Sequence, residues 1–324
     1  MPSNLVHELT GRRLVRGDVG IEIETEAKNP YAVPAIEGWM SKGDGSLRNF
    51  GVEYITQGAI PIDEVDKYID NWRDGLGKIW ERLDKTSHST SVHVHSNVSQ
   101  FTVTELVNFF CLATLFENVL CEFSGVDRKG NLFCLRTKDA ETKINSIIAA
   151  IKSAQSQNYI LRSLSPGNYK YCGINTETVK SFNSLEFRMM RGEMEPDIIK
   201  KWVKAIHNIS VYSRKFECPK AILKVAKEKG VMHLYSECFG DLAGDFSYTK
   251  IVEDIECNLY YVANIASKQD IKALPASAPK SNLSAGTYQE ILERVARVNA
   301  PQPNVVNPVV ADEGFTEDFE EEDF

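Results

Sequence analysis

The sequence predicts an α+β fold in which an antiparallel or mixed sheet carries helices on one of its faces. Three observations predict it. Short apolar strands recur with charged or histidine side chains at every second position. Helical periodicities stand among these strands in irregular order, not in strict alternation with them. The apolar fraction, 43% of 324 residues, is ordinary for a globular chain and large enough to bury a substantial core.

Residues 14–60 read as strands and loops. Gly20-Ile21-Glu22-Ile23-Glu24 is the first strand, with Glu22 and Glu24 on one face and Ile21 and Ile23 on the other. Gly and Asp cluster in Lys42-Gly43-Asp44-Gly45-Ser46, which reads as a turn. Gly51-Val52-Glu53-Tyr54-Ile55 is the next strand of the same design. A helix follows, expected to be capped by Asp63, because Val65, Ile69, Trp72, Leu76, Ile79 and Leu83 fall at helical spacings.

Ser91-Val92-His93-Val94-His95 repeats the strand design with imidazoles. It leads into a helix whose Thr102 and Glu105 are spaced as a capping box. That helix is apolar nearly all round and is therefore expected to be buried. Helical patterns recur near 140–156, 196–214 and 219–229, the last stopped by Gly230. Between the first two lies Ser184-Leu185-Glu186-Phe187-Arg188, with Glu186 and Arg188 opposite Leu185 and Phe187. After about residue 268 the character changes. Five of the twelve prolines fall between 275 and 308, so 268–310 reads as linker, with one short amphipathic helix at 288–298. The expected division is a domain over 1–267, that linker, and a disordered acidic tail over 311–324.

Charge and cysteine usage narrow the class. The net charge of −8 comes from the tail, which holds eight acids and no base; the first 310 residues balance at 37 acidic against 37 basic. No overall basic signature is present, so nucleic acid is not an expected partner. Seven scattered cysteines without a CxxC pair suggest reduced thiols. The N-terminus lacks an apolar signal region, and the longest apolar stretch, Phe109 to Phe116, is too short to span a bilayer. A soluble cytoplasmic protein without a membrane partner is the expectation.

Carboxylates at alternate positions on a strand can address two neighbouring divalent ions. Magnesium favours such oxygen ligands together with nucleotide phosphates, and an added imidazole suits manganese as well. A guanidinium such as that of Arg188 can clamp a moving phosphate. Neither GxxxxGK[ST] nor GxGxxG occurs, so a nucleotide would not be held by either of those glycine loops. Taken singly, ExE is usually a solvated face and Glu-Phe-Arg a surface ion pair. Four strands obeying one polarity rule make an active site the stronger reading.

In order along the chain, Gly20–Glu24, Asp44-Gly45-Ser46-Leu47 with Gly51-Val52-Glu53, His93-Val94-His95 and Leu185-Glu186-Phe187-Arg188 resemble the motifs of the amidoligase family. Arg128 followed by Asn131-Leu132-Phe133-Cys134, and Tyr169-Lys170-Tyr171-Cys172-Gly173-Ile174-Asn175, resemble it too. The resemblance covers roughly residues 15–215. It implies a curved antiparallel sheet shaped as a funnel like that of glutamine synthetase and glutamate–cysteine ligase, with helices on its outer face. It implies ATP with Mg2+ or Mn2+, and a ligase that joins a carboxylate to an amine through an acyl phosphate. The substrates would be amino acids, peptides or protein side chains. Glu22, Glu24, Glu53, His95 and Glu186 would be metal ligands, while His93, Arg128 and Arg188 would contact the nucleotide. Arg188 and Glu53 would be catalytic. Glu26 stays outside the set because it lies at the strand end, and His7, His88, His207 and His233 have no matching context.

Two other classes stand beside the ligase. Clustered Glu and His also suit a metal-dependent phosphohydrolase or nuclease. The acidic tail, punctuated by Phe315, Phe319 and Phe324, suits a protein partner, and an interaction protein with a vestigial site would use it. The resemblance and the tail together imply a phage or bacterial source, with the host cytoplasm as location in the first case.

Overall fold

Strand alternation and helix caps account for most of the architecture. The computed structural model describes residues 4–278 apart from 86, 126–127, 129–130, 132–133, 165–170, 247–249 and 269. The chain divides into two units, Met1–Ala278 and Pro279–Phe324, and the fold described is that of the first. The expected helix at 288–298 and the acidic tail lie outside the described residues, as do Leu132, Phe133, Tyr169 and Lys170 of the quoted motifs.

Six strands form one open sheet: β1 (Val19–Thr25), β2 (Trp39–Lys42), β3 (Val52–Thr56), β4 (Ser91–Asn97), β5 (Ile174–Asn175) and β6 (Ser184–Arg191). Their order is β2-β3-β1-β4-β6-β5, and every neighbouring pair is antiparallel. All four strands of the repeated design are present. The first of them, β1, sits between β3 and β4, so its carboxylates have a polar strand on each side.

The dry face carries Ile21, Ile23, Val92, Val94, Leu185 and Phe187, all fully buried. Helices α2 (Val65–Leu76), α3 (Val103–Leu115) and α8 (Pro196–Ser213) cover it. Trp72 of α2 meets Tyr54 of β3, Trp39 of β2 and Trp80, and Phe109 of α3 lies 5.7 Å from Phe187. The capping box forms as expected: Thr102 accepts from the amide of Glu105, whose carboxylate accepts from the amide of Thr102. Every residue of α3 except Glu105 is buried. Further helices α4 (Glu117–Phe123), α9 (Pro219–Lys229), α10 (Val231–Phe239) and α11 (Ile251–Ala266) complete the layer, with α9 ending at Gly230. No single helix among the described residues is long and apolar enough to cross a membrane.

One boundary differs from expectation. Asp63 does not cap α2, because Ile62–Glu64 already form a 3-10 turn after Pro61 and the α-helix begins at Val65. A residue inside a helical turn lacks the extended backbone of an N-cap. At the other end Gly77, at φ +48°, stops the helix, so Ile79 belongs to a 3-10 segment and Leu83 follows it. Residues 271–276, at the start of the expected linker, still belong to the packed body. Ile271 is buried, and the carbonyls of Leu274, Pro275 and Ala276 accept hydrogen bonds from Gln157 and Asn158.

Candidate functional site

Register converts four sequence motifs into one surface. Glu24 of β1 stands opposite Glu53 of β3, Glu22 opposite His93 of β4, and Gly20 opposite His95. His95 in turn faces Glu186 of β6, and Glu186 faces Asn175 of β5. Directly opposed residues point to the same side of a sheet, so these side chains form one polar face. Between Val92 and Val94 the pairing with β6 slips by one residue, which places a bulge opposite His93. Bulges re-aim side chains next to binding sites; here Phe187, Met189 and Met190 are buried while Arg188 stays beside Glu186.

This polar face is not a solvated one. Glu24, Glu53, His93 and Glu186 are each at most 5% exposed, and buried polar groups require partners. The hydroxyl of Ser91 donates to Oε2 of Glu24 at 2.6 Å and lies 2.7 Å from Nε2 of His93. Nδ1 of His93 is 3.1 Å from Oε2 of Glu22. Ser184 Oγ lies 3.0 Å from Nδ1 of His95, whose Nε2 stands 3.2 Å from Glu22 and 3.8 Å from Glu186. Asn175 donates to Oε2 of Glu186 at 2.6 Å, and Arg188 donates to Oε1.

The electrostatics follow from crowding. Burial alone would raise the Glu22 carboxyl, but hydrogen bonds and charge from His93 and His95 outweigh it and hold the group far below the usual carboxylate range. Burial likewise opposes ionisation of Glu186, and His95, His93 and Arg188 together overcome it, lowering its pKa. His95 is pushed upward, since contact with Glu22 and the charge of Glu186 exceed the effect of its burial. Glu53 behaves differently. Burial is the largest influence and raises it to about 7, with the neighbouring charge of Glu22 adding to this and Lys42, 2.9 Å away, opposing it.

Three groups of side chains can each bring ligand atoms within 4.8 Å of one another: Glu22, His95 and Glu186; Glu22, Glu53 and His93; and Glu24, Asp44 and Glu53. Adjacent groups share Glu22 and Glu53, so they form a row across the sheet. All five predicted metal ligands and His93 therefore lie in one row. Asp44, quoted within a family motif without a ligand role and expected in a turn, is in one: its carboxylate accepts from the amide of Ser46 at 2.8 Å. It also joins the row, because Lys42 at the end of β2 pairs with Glu53 and directs the following loop over β3. That pairing was the missing signal. Ser91, Ser184 and Asn175, which orient the ligands, carried a weaker one, as Ser91 lies two residues before His93 on the same strand face.

Arg128 braces the backbone of β6. It is 4% exposed and donates through Nε to the carbonyl of Met189 and through Nη2 to that of Arg188, bracing the bulge. Glu26 stays outside the row, since its carboxylate accepts from the Arg48 amide and the hydroxyls of Ser87 and Ser89. His7, His88, His207 and His233 join none of the three groups.

One cavity adjoins the row, and a second lies beyond the end of β4 without sharing any residue of the row. The first, of about 400 Å3, begins at Glu22 and His95 and is walled by Val15, Ile55, Ala59 and Phe182. The other, of about 580 Å3, lies past Thr90 at the opposite end of β4 and is lined by Lys85, Arg128, Arg191, Glu193 and Glu195. Residues 54–210 match the model of a family described as "Putative amidoligase enzyme". No curated protein matches the chain. The matched segment begins at Tyr54, so Glu22 and Glu24 precede it; the sheet places them between the matched β4 and the partly matched β3.

Proposed function

We propose that the protein, whose residues 54–210 match the model of the amidoligase family, is an ATP-dependent carboxylate–amine ligase forming an amide or isopeptide bond. The observation that carries this reading is the row of three ligand groups sharing Glu22 and Glu53. The donors fit divalent ions. The group of Glu24, Asp44 and Glu53 is all oxygen, as magnesium prefers, and the other two add one imidazole each, which manganese accepts. Nε2 of His95 is buried and faces Glu22 at 3.2 Å and Glu186 at 3.8 Å, a position from which all three could share one ion. Ions bound there supply charge neutralisation for the nucleotide phosphates.

In the reaction, a substrate carboxylate oxygen attacks the γ-phosphorus, the bond to the β–γ bridging oxygen breaks, and ADP leaves. An amine then adds to the carbonyl carbon of the acyl phosphate, phosphate departs, and the amine proton passes to solvent or a basic side chain. Arg188, held by Glu186 and by the braced bulge, contacts the phosphoryl group in flight. His93 and Arg128 serve the nucleotide by orienting Glu22 and the Arg188 segment. The polar face is the floor of a funnel like that of glutamine synthetase, and the two cavities are its openings. The charged cavity suits an amino acid or a peptide end, with Lys85 facing a carboxylate and Glu195 an ammonium, while Arg191 is already paired with Glu193.

The test is ADP release from Mg·ATP with and without pooled amino acids and amines, beside Glu22→Gln. ADP that requires the pool and disappears in the variant supports the ligase. ADP formed without any acceptor would replace it with a phosphohydrolase, and no turnover with any small or protein acceptor would remove the enzymatic reading.

A further inference from the structure

The cleft at the Glu22–His95 end has a composition that the metal row does not explain. Apart from Glu22 and His95, which belong to the row, its side-chain polar groups are already engaged among the described residues. Thr56 Oγ1 accepts from the amide of Ile21 at 3.1 Å. Asn97 donates to the carbonyls of Val15 and Gly17 and accepts from the amide of Ser99. Ser184 is taken by His95, and Lys42 by Glu53. What remains is apolar wall, chiefly Val15, Ile55, Ala59 and Phe182.

Phe182 is 65% exposed, far more than a core aromatic would be, and stands edge-on to His95 at 6.1 Å. It is nevertheless firmly mounted. The next residue, Asn183, is buried at φ +54°, accepts from the Thr10 hydroxyl at 2.8 Å, and receives the Val98 amide on its carbonyl. An exposed ring on a fixed backbone is a prepared contact surface.

Gly20 forms the floor. It lies opposite His95 on the polar face, in the strand rather than in a turn. Its φ does not fall in the left-handed region, and an added Cβ would meet nothing closer than His95 Cβ at 3.6 Å. Neither backbone conformation nor steric clash calls for glycine here. A longer side chain at this position would extend past His95 Cβ and Thr56 Oγ1 into the cleft.

We propose that this cleft is the nucleobase subsite, that it holds the base by apolar contact with Ile55 and the Phe182 ring and without hydrogen bonds to the base edge, and that Gly20 keeps it open. The inference rests on the nucleotide-using reading above and names which end of the row receives the nucleoside. A flat, poorly solvated group fits an apolar slot whose inner end meets candidate phosphate-binding ions. The charged cavity at the opposite end lacks such walls. Stacking on an aromatic ring is tolerant of base identity, since every base offers a π-face.

Calorimetric titration with Mn2+ present tests this, using ATP, GTP and inorganic tripolyphosphate against the wild type, Gly20→Leu, Gly20→Ala and Phe182→Ala. The expectation is that ATP and GTP bind within about threefold of each other and tripolyphosphate at least about tenfold more weakly. Gly20→Leu and Phe182→Ala should each weaken ATP about tenfold or more while leaving tripolyphosphate unchanged. Gly20→Ala, which the 3.6 Å clearance accommodates, keeps the test readable if the leucine variant does not fold. ATP affinity unchanged in both Gly20→Ala and Phe182→Ala would overturn the subsite, as would tripolyphosphate binding as tightly as ATP. A preference for ATP over GTP of a hundredfold would overturn recognition without the base edge. A wild type that binds tripolyphosphate and ATP not at all would instead remove the proposed function itself.

Discussion

The two faces of this one sheet are buried to nearly the same depth and are built by different physics. On the dry face, Ile21, Val94 and Phe187 are covered by α2, α3 and α8, and close packing alone satisfies them. On the polar face, Glu24, His93 and Glu186 are as hidden, yet each is held by hydrogen bonds or ion pairs from β4, β5 or β6. Burial therefore does not distinguish core from site here. The difference lies in what removal does: a lost apolar group leaves a void, whereas a lost carboxylate leaves its histidine or arginine partners unpaired. Desolvation makes a buried ion pair a weak net contributor to stability even though breaking it is costly, and functional sites commonly cost stability.

That contrast can be broken most severely on the dry side. Phe187→Ala should cost about 3–5 kcal/mol of folding free energy, as for large-to-small changes in a close-packed core. Chemical denaturation would show it, and a loss below about 1 kcal/mol would mean that the dry face is not the packed core. Glu22→Gln is the matching change across the sheet. It removes a member of two ligand groups, so turnover should fall beyond the roughly 10–100-fold typical of outer-sphere changes. Stability should also fall, because His93 and His95 lose the carboxylate they pair with, but by less than for Phe187→Ala, since Glu22 is only partly buried. A large fall in stability together with intact turnover would reverse the assignment of the two faces.

A smaller effect is expected at Ser91, whose hydroxyl bridges Glu24 and His93. Ser91→Ala should weaken Mn2+ binding by about 10–100-fold with little change in stability. Unchanged metal affinity would show that these two ligands orient themselves.

The smallest expected change concerns a carboxylate on the helical side. Glu117 of α4 is 2% exposed, and burial raises it from 4.5 to about 7 despite a hydrogen bond from the Thr137 amide. The folded state thus keeps this proton after the unfolded chain has released it, and stability falls as pH rises from about 4.5 to 7. Glu117→Gln should flatten that fall in denaturation curves across the same window. An identical pH dependence in the variant would mean that Glu117 ionises without cost.

Much of this design was legible in the sequence, because each strand carries its own two-faced pattern. Glu22, Glu24, His93, His95, Glu186 and Arg188 needed only strand alternation to be placed on one side. The capping box of α3 was equally local. What could not be read depends on pairing between distant segments. Asp44 joins the row only because β2 registers with β3, and the bulge opposite His93 arises from a slipped pairing with β6. Arg128 reads from its motif as a phosphate contact; that its Nε and Nη2 also brace carbonyls of the bulge is something no local pattern encodes. The start of α2 went astray for a local reason, since Pro61 began a 3-10 turn before the helix.

The most direct measurement is oxygen transfer. Amino acids labelled with 18O in their carboxyl groups would be incubated with the protein, Mg·ATP and unlabelled amines, and the released phosphate analysed by mass. An acyl-phosphate ligase moves one labelled oxygen from the substrate carboxylate into each phosphate. Phosphate that carries oxygen from water instead would contradict the account, because the polar face would then be hydrolysing ATP and not activating a carboxylate.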